Sequence, residues 1–218
     1  MLKTNVYDMN GKQRDTYLTR VRNKKVCELM NQPGYGDEFD DKLRFNVRFA
    51  DFLGRRTLNA AAATPEKLLA YLKEKGLDVL EEPLAQHPDM AKLHPQSVNT
   101  MRIVTDRVGD TVHIAYIVLK IGRGDGFCDN SGQGGVICRV DEKTGKICSV
   151  ATDDYFNVYE THPDTGIRFE GYQLPMVQEA VAFARKAALV VPQICHVGWD
   201  VAVTPDGPVL IEGNDYPG

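Results

Sequence analysis

Apolar residues in the first third of the chain recur at the three- and four-residue spacing that is typical of amphipathic helices. In 41–53 this spacing predicts a buried stripe formed by Leu43, Val47, Phe49 and Phe52. The polar residues between them would face solvent. The helices predicted in this part of the chain are 15–30, 41–53 and 65–75.

From residue 97 onward, short apolar runs rich in β-branched residues predict strands. The polar stretch at 106–110 and the Thr-Pro-Asp-Gly turn at 204–207 would each close a hairpin. A short apolar run just before the Glu-Glu-Pro segment is also strand-like. The predicted strands are 77–80, 101–105, 112–119, 136–140, 147–150, 197–203 and 208–213.

One later segment, 176–190, has a clear helical pattern. Its predicted apolar face comprises Val177, Val181, Ala184 and Ala188. Strands in hairpins beside a few helices indicate an α+β fold in which an antiparallel sheet packs against helices. We expect an N-terminal helical region, 1–76, and a second domain, 77–218.

Composition narrows the function classes. A formal net charge of -4 argues against a nucleic-acid partner. Five cysteines without a CxxC pair argue against a disulfide framework or a structural zinc site, so we expect reduced thiols and a cytoplasmic protein. The polar first ten residues do not resemble a signal peptide, and no apolar run is long enough to span a membrane.

Three oxygen-bearing side chains lie in the last predicted hairpin. Glu212 and Asn214 are two residues apart and share a strand face, and the turn at 204–207 can bring Asp200 beside them. Hard oxygen ligands of this kind suit magnesium. The alternative is a set of exposed polar residues at strand ends. Because Glu212 follows an apolar run, a carboxylate at this position would need a partner, which favours the metal site.

A glycine-rich stretch follows the predicted strand 112–119. Arg123 can bind phosphate or carboxylate oxygens in a bidentate manner, and the glycines beside it would let the backbone approach a ligand. Asn130 and Gly132 extend the same loop, although a flexible surface loop is an equally simple interpretation. Arg102, on the strand 101–105, either faces the same site or is a surface arginine.

Three histidines, His87, His94 and His162, each precede a proline and are interpreted as structural. No HExxH, P-loop or GxSxG motif occurs, so zinc, a Walker-type nucleotide site and a serine nucleophile are not supported. Cys128, beside the glycine-rich stretch, is a minor candidate for a thiol nucleophile.

Several motifs together resemble the sugar-transfer-associated branch of the ATP-grasp superfamily, which is related to α-L-glutamate ligases. They are LEEPLAQH, SVNTMRIVT, KIGRGDGFCDNSGQGG, HPDTG and GWDVAVTPDGPVLIEGN, in this order. The resemblance runs from residue 77 to the C-terminal residue, and a fainter one covers 41–53. It implies an ATP-grasp-like fold.

The resemblance also implies roles for individual residues. Asp200, Glu212 and Asn214 match magnesium ligands, with Mn²⁺ as an alternative ion. Arg123 matches a basic residue near the transferred phosphate, and Arg102 is a second catalytic candidate. The connector along ATP would contain Glu81, Glu82 and Leu84.

The implied reaction is phosphorylation of a small-molecule carboxylate by ATP, followed by attack of an amine or a sugar-linked acceptor on the acyl phosphate. Such ligases act in the modification of polysaccharides or peptide-like metabolites. The family also has a lid with a Lys-Pro strand and a glycine-rich phosphate loop before LEEP. Residues 58–76 are too short to hold that lid. The alternative is therefore a degenerate ATP-grasp protein that binds nucleotide or a protein partner without turnover.

Overall fold

The computed structural model of the protein describes residues 10–12, 19–59, 66–76, 79–126 and 134–217. Its helices are α1 (Arg20–Met30), α2 (Asp37–Asp40), α3 (Lys42–Arg48), α4 (Glu66–Lys75), α5 (Pro88–Ala91) and α6 (Val177–Ala187), with a 3-10 turn at Ala50–Phe52. Its strands are β1 (Thr57–Asn59), β2 (Val79–Glu81), β3 (Thr100–Val108), β4 (Thr111–Ile121), β5 (Val136–Arg139), β6 (Ala151–Thr152), β7 (Val158–Tyr159), β8 (His196–Thr204) and β9 (Gly207–Asn214).

An antiparallel sheet of seven strands, in the order β7-β6-β5-β4-β3-β8-β9, is the centre of the fold. Strands β1 and β2 form a separate antiparallel pair. Two predicted hairpins, β3–β4 and β8–β9, are present. The first has a shorter turn than predicted, because its strands continue to Val108 and Thr111 and leave only Gly109 and Asp110 between them. The structure confirms the α+β class.

One face of the sheet carries the hydrophobic core. Ile103 of β3 pairs with Trp199 of β8, and both are fully buried. Phe49 packs edge-on against Trp199, and Phe52 packs against Phe183 of α6, so the helices cover this face. The stripe predicted for α6 is confirmed, because Val177, Val181, Ala184 and Ala188 are all buried.

The stripe predicted for 41–53 is partly wrong. Phe49 is buried, but Val47 is 81% exposed, and the chain buries Phe45 and Leu53 in its place. The physical reason is helix geometry: Val47 and Phe49 are two residues apart and point to nearly opposite sides of the helix, whereas Phe45 and Phe49, four apart, share a face. Helix α3 ends at Arg48, and the chain continues through a 3-10 turn to the buried Leu53.

The strand predicted at 147–150 is also absent. Ile147 forms only an isolated bridge with Val140, and the next strand begins at Ala151. The amide of Ile147 donates to the carbonyl of Tyr172, and its own carbonyl accepts from Gly171. The backbone of Ile147 is therefore bonded to the 171–172 segment instead of continuing a ladder with β5.

The N-terminal helices and the loop after them hold the outer edge of β9. Arg55 donates to the carbonyl of Leu210 at 2.6 Å, and Lys42 donates to that of Ile211 at 2.6 Å. Farther along, Asn31 donates to the carbonyl of Asp215 at 2.7 Å. Side chains that satisfy an edge strand in this way block pairing with another chain. They also fix the position of the strand that carries the predicted metal ligands.

The pairing of β1 with β2 joins Thr57 to Glu81 across the proposed boundary between 1–76 and 77–218. The division into two domains stays a prediction. In the described part of the chain, no helix combines the length and the apolarity needed to cross a membrane. The four cysteines within the same ranges are free thiols.

Candidate active site

We call the sheet face opposite the core the open face, because the side chain of Glu212 is 47% exposed on it, although Asp200, Thr100 and Ala202 are buried there. It carries the polar residues of the last hairpin. Asp200 of β8 lies directly opposite Glu212 of β9, and Asn214 follows on the same strand. An irregularity in the register leaves Ile211 without an opposite residue, so Leu210 points into the core while Glu212 points to the open face. A bulge of one residue has this effect because strand side chains alternate between faces.

Because of the bulge, the carboxylate of Glu212 is not buried, in contrast to the expectation from the sequence. The sequence suggested that Glu212 would continue a buried run. Its side chain is instead 47% exposed. Nδ2 of the Asn214 side chain donates to Glu212 Oε1 at 3.3 Å. Glu212 therefore lies on the open side of the sheet, where a ligand can reach it.

Asp200 is the buried member of this group, with 1% of its side chain exposed. Arg102, its cross-strand neighbour on β3, donates through Nε to Oδ1 and through Nη2 to Oδ2, the latter at 2.9 Å. Lys120 of β4 donates to Oδ2 at 3.0 Å. Two cations thus converge on one carboxylate, and Arg102 Nη2 also lies 3.9 Å from Glu212 Oε1.

The charges around Asp200 decide its ionisation. Burial alone would raise the pKa of this carboxyl, but the hydrogen bonds and positive charges of Arg102 and Lys120 outweigh burial and lower it. The pKa of Arg102 is raised, because the interactions with Asp200 exceed the opposing effect of its own burial. The group is therefore a fixed ionic cluster that spans β4, β3 and β8.

Gly198 makes room for the arginine. A Cβ at this position would lie 2.9 Å from Arg102 Cδ and 2.8 Å from Pro217 Cβ. Any larger residue would displace the arginine side chain, which crosses β8 here. The glycine two residues before Asp200 therefore permits the bidentate contact.

Arg123 belongs to a second polar cluster, beyond the end of β4. Its Nη1 donates to the Tyr159 hydroxyl at 2.6 Å, and its Nη2 lies 3.7 Å from Asp153 Oδ2. The guanidinium also lies 5.2 Å from the centre of the Tyr159 ring. Arg102 and Arg123 therefore have different partners, and Lys120, three residues before Arg123, contacts Asp200 in the first cluster.

Asp153 organises this second cluster. Its carboxylate accepts from the amides of Tyr155 and Asn157, from the Asn157 side chain and from the Tyr159 hydroxyl. The hydrogen bond from the Asn157 side chain is the largest cause of a pKa lowered to about 2, and the backbone amides and Tyr159 add to it. Asp153 is therefore ionised and holds Tyr159, which in turn holds Arg123.

The backbone amides of the two glycines beside Arg123 are hydrogen-bonded within the protein. The Gly122 amide donates to Asn99 Oδ1 at 3.2 Å, and the Gly124 amide donates to Asp164 Oδ2 at 2.6 Å. These backbone donors are thus used within the protein. The group that this turn presents is the Arg123 side chain. Asn130 and Gly132, the other predicted residues of the loop, lie outside the described residues.

The predicted connector to ATP follows β2. Glu81 interacts with Arg55 at 3.0 Å, Lys42 at 3.4 Å and Asn46 at 3.2 Å. Burial would raise its pKa, but the positive charges of Arg55 and Lys42 lower it. Glu82 forms an exposed ion pair with Arg56.

Leu84, the third predicted connector residue, is half-buried. The connector is therefore held by ion pairs of Glu81 and Glu82 with residues of α3 and of the loop that follows it. Whether Glu81, Glu82 and Leu84 contact nucleotide stays a prediction.

The donor set is compatible with a divalent cation. Within the described ranges, no group of three or more His, Cys, Asp or Glu side chains could hold a metal ion. Asp200, Glu212 and Asn214 instead provide two carboxylates and an amide oxygen on adjacent strands. Magnesium accepts few protein ligands when water and phosphate complete its shell. The exposure of Glu212 on the open face fits such a ligand, and the metal assignment stays a prediction.

Three residues of these clusters were not found by sequence reasoning. Lys120 could have been found from the β3–β4 hairpin, because a register that pairs it with Thr100 puts it on the face of Arg102. The sequence contains no comparable pattern that would place Asp153 and Tyr159 beside Arg123. They reach Arg123 only because β6 and β7 extend the sheet past β5.

The protein is therefore an α+β domain in which one sheet face carries two cations, two carboxylates and a side-chain amide. The family model for sugar-transfer associated ATP-grasp proteins matches residues 62–218, well over half of the chain. The chain therefore belongs to the sugar-transfer associated ATP-grasp family, which confirms the resemblance of its motifs. No curated protein matches it. Membership supports an ATP-dependent activity of the ligase type.

Proposed function

We propose that the protein is an ATP- and magnesium-dependent ligase that joins a small-molecule carboxylate to an amine or a sugar-linked nucleophile. The observation that carries this proposal is the convergence of Arg102 and Lys120 on Asp200, opposite Glu212, in an ATP-grasp chain. As its setting we propose the modification of a polysaccharide or a peptide-like metabolite in the cytoplasm. The family's description supports only an association with sugar transfer.

In this proposal three cationic side chains, Arg102, Lys120 and Arg123, bind and stabilise the reacting groups. Arg102 and Lys120 would bind phosphate or carboxylate oxygens at the open face, where their charges would stabilise the negative charge that develops during phosphoryl transfer. Arg123, held by Tyr159, adds a third cation of fixed orientation. These groups would stabilise the acyl phosphate that ATP and the carboxylate form, until the nucleophile displaces phosphate from it.

The same face provides the oxygen donors for magnesium. Asp200, Glu212 and Asn214 would hold the ion. When bound, magnesium supplies charge neutralisation on the phosphates. The exposed carboxylate of Glu212 remains available to a ligand, whereas Asp200 contributes from within its ion pairs with Arg102 and Lys120.

ADP release by the full chain tests the proposal. It is measured with Mg·ATP and a panel of amino acids, sugar acids and amines. Turnover that needs both an acid and an acceptor is expected. Arg123→Gln should lower it about 100-fold, because a preorganised charge is lost. Arg185→Gln, which removes an exposed arginine from α6, is the matched control and should be unaffected. A wild-type protein without turnover on any pair would overturn the ligase proposal.

A binding role without turnover is the second candidate. No Lys-Pro dipeptide occurs in the sequence, and β1 and β2 pair directly across the segment where the lysine-bearing lid was expected. A lid excludes water and fixes phosphates, so a chain without one would favour binding over catalysis. Calorimetry with Mg·ATP separates the two candidates, since nucleotide binding without ADP release would support this one.

A further inference from the structure

Two buried histidines hold the turn that carries Arg123. Nε2 of His162 lies 2.9 Å from the carbonyl oxygen of Gly122, and Nε2 of His94 lies 2.8 Å from that of Gly124. Both side chains are fully buried. Their rings stack with centroids 5.8 Å apart. The carbonyl before Arg123 and the carbonyl after it are therefore each bonded to one member of a histidine pair.

The proton of His162 can be assigned from its surroundings. Its Nδ1 accepts from the amides of Asp164 at 3.2 Å and Thr165 at 3.4 Å, so this nitrogen carries no proton. Nε2 is then the donor to Gly122. Burial is the largest cause of the lowered pKa of this imidazole, which agrees with the neutral form.

His94 is fixed by its own neighbours. Its Nε2 must donate to the Gly124 carbonyl, so in the neutral ring Nδ1 accepts from the Ser97 hydroxyl at 2.8 Å. Ser97 Oγ also lies 3.2 Å from Asn99 Oδ1. Asn99 Oδ1 in turn accepts from the Gly122 amide. The turn is thus bonded on both sides to the segment before β3, while His162 belongs to the segment after β7.

We propose that His94 and His162 are positioning residues that orient Arg123 toward Tyr159 and the ligand. The proposal rests on the proposed function only in naming phosphate as the ligand group. The histidines act through the backbone. They fix the carbonyls of Gly122 and Gly124, and this fixes the direction in which the side chain of Arg123 leaves the turn.

His162 makes two kinds of contact: Nε2 donates to the Gly122 carbonyl, and Nδ1 caps the turn at Asp164 and Thr165. Two substitutions separate these contacts. His162→Asn keeps an oxygen that can accept from the Asp164 amide but does not reach Gly122. His162→Gln can donate to Gly122 but loses the cap. His113→Asn, at an exposed histidine of β4, is the matched control.

The first readout is the guanidinium NMR signal of Arg123, assigned by its loss in Arg123→Gln. His162→Asn should remove the restricted rotation of this group, and His162→Gln should keep it. The second readout is the Kd for a non-hydrolysable ATP analogue with magnesium. It should rise about ten-fold in His162→Asn, as expected for a weakened hydrogen bond to a charged group, and stay near wild type in His162→Gln.

If His162→Gln affects the NMR signal and the Kd more than His162→Asn does, or if both variants affect them equally, the positioning role is overturned and His162 is only a turn cap. If the wild-type protein binds no ATP analogue, the proposed function fails. The NMR signal then still decides whether the histidines orient Arg123, so the two failures are distinguishable.

Discussion

Asp200 combines a structural role with a candidate functional one. Its carboxylate is buried and ion-paired with Arg102 and Lys120, so its removal leaves two cations close together without compensation. Glu212, opposite it, is half exposed and makes weaker contacts. The two carboxylates should therefore differ in their effect on stability even if both hold magnesium.

Asp200→Asn should lower the free energy of unfolding by about 3 kcal/mol, because it breaks a buried ionic cluster. Glu212→Gln should cost less than about 1 kcal/mol, as expected for an exposed carboxylate. Urea denaturation without magnesium measures both. Calorimetry should then show that each variant loses magnesium-dependent ATP binding. Equal stability losses would contradict the assignment of Asp200 as the buried centre.

At the scale of residues, sequence reasoning found the members of the site better than their contacts. Glu212 and Asn214 share a face because they are two apart, which is a local property of a strand. Asp200 was placed beside them through the turn. Its partners Arg102 and Lys120 are 98 and 80 residues away in sequence, so no local pattern specified them.

The end of β4 is the element on which the second cluster depends. Gly122 lies where the chain leaves the sheet and passes the segment before β3. A Cβ there would lie 2.6 Å from His94 Nδ1, and closer still to Ser97 Oγ. Since both of these atoms are buried, they cannot move aside freely. This position therefore requires glycine for packing.

Gly122→Ala should destabilise the protein by about 2 kcal/mol through overpacking. It should also shift the Arg123 guanidinium NMR signal. Gly126→Ala is the matched control, because the nearest atom to its added Cβ would be 3.8 Å away. Thermal and urea unfolding compare the two variants. A Gly122→Ala protein as stable as the Gly126→Ala protein would show that the turn can relax around the methyl group.

Elements with a continuous pattern were predicted well and interrupted ones were not. Helix α6 has its predicted apolar face in the core. The prediction for 41–53 put Val47 and Phe49 on one face, although residues two apart in a helix point to nearly opposite sides. The segment at 147–150 has strand-like residues, yet the backbone of Ile147 bonds to residues 171 and 172. In this second case tertiary hydrogen bonds outweighed the local strand preference.

The whole molecule contains several carboxylates whose pKa is lowered by folding. They include Asp200, Glu81 and Asp153, the last with a pKa of about 2 against an ordinary value of 3.8. Such groups stabilise the fold above their unfolded pKa, and this stability is lost as the pH falls through the folded value. Asp215 has the opposite effect on the pH dependence of stability, because burial and the charge of Asp40 raise its pKa.

We expect the free energy of unfolding to decrease as the pH falls below about 4, with the contribution of Asp153 lost between about 4 and 2. His162 adds an earlier decrease below its ordinary pKa of 6.5, because its lowered pKa also means that the unfolded state binds more protons. Urea unfolding at a series of pH values measures this dependence.

In Asp153→Asn the slope between pH 4 and 2 should be shallower than in wild type. An unfolding free energy that stays constant from pH 6 to pH 2 would contradict the ionic assignments. The comparison uses the full chain, since the N-terminal helices hold β9 through Lys42, Arg55 and Asn31.

The hairpin that contains Asp200, Glu212 and Asn214 shows where the sequence was sufficient. The sequence by itself determined the strands, the turn between them, the shared face of Glu212 and Asn214, and the motifs of the family. These follow from residue spacing and local turn chemistry. Only the tertiary structure decided that a bulge at Ile211 turns Glu212 outward, that Arg102 and Lys120 hold Asp200, and that Asp153 and Tyr159 hold Arg123. Strand register and long-range contacts depend on how the whole core packs, and no local pattern encodes them.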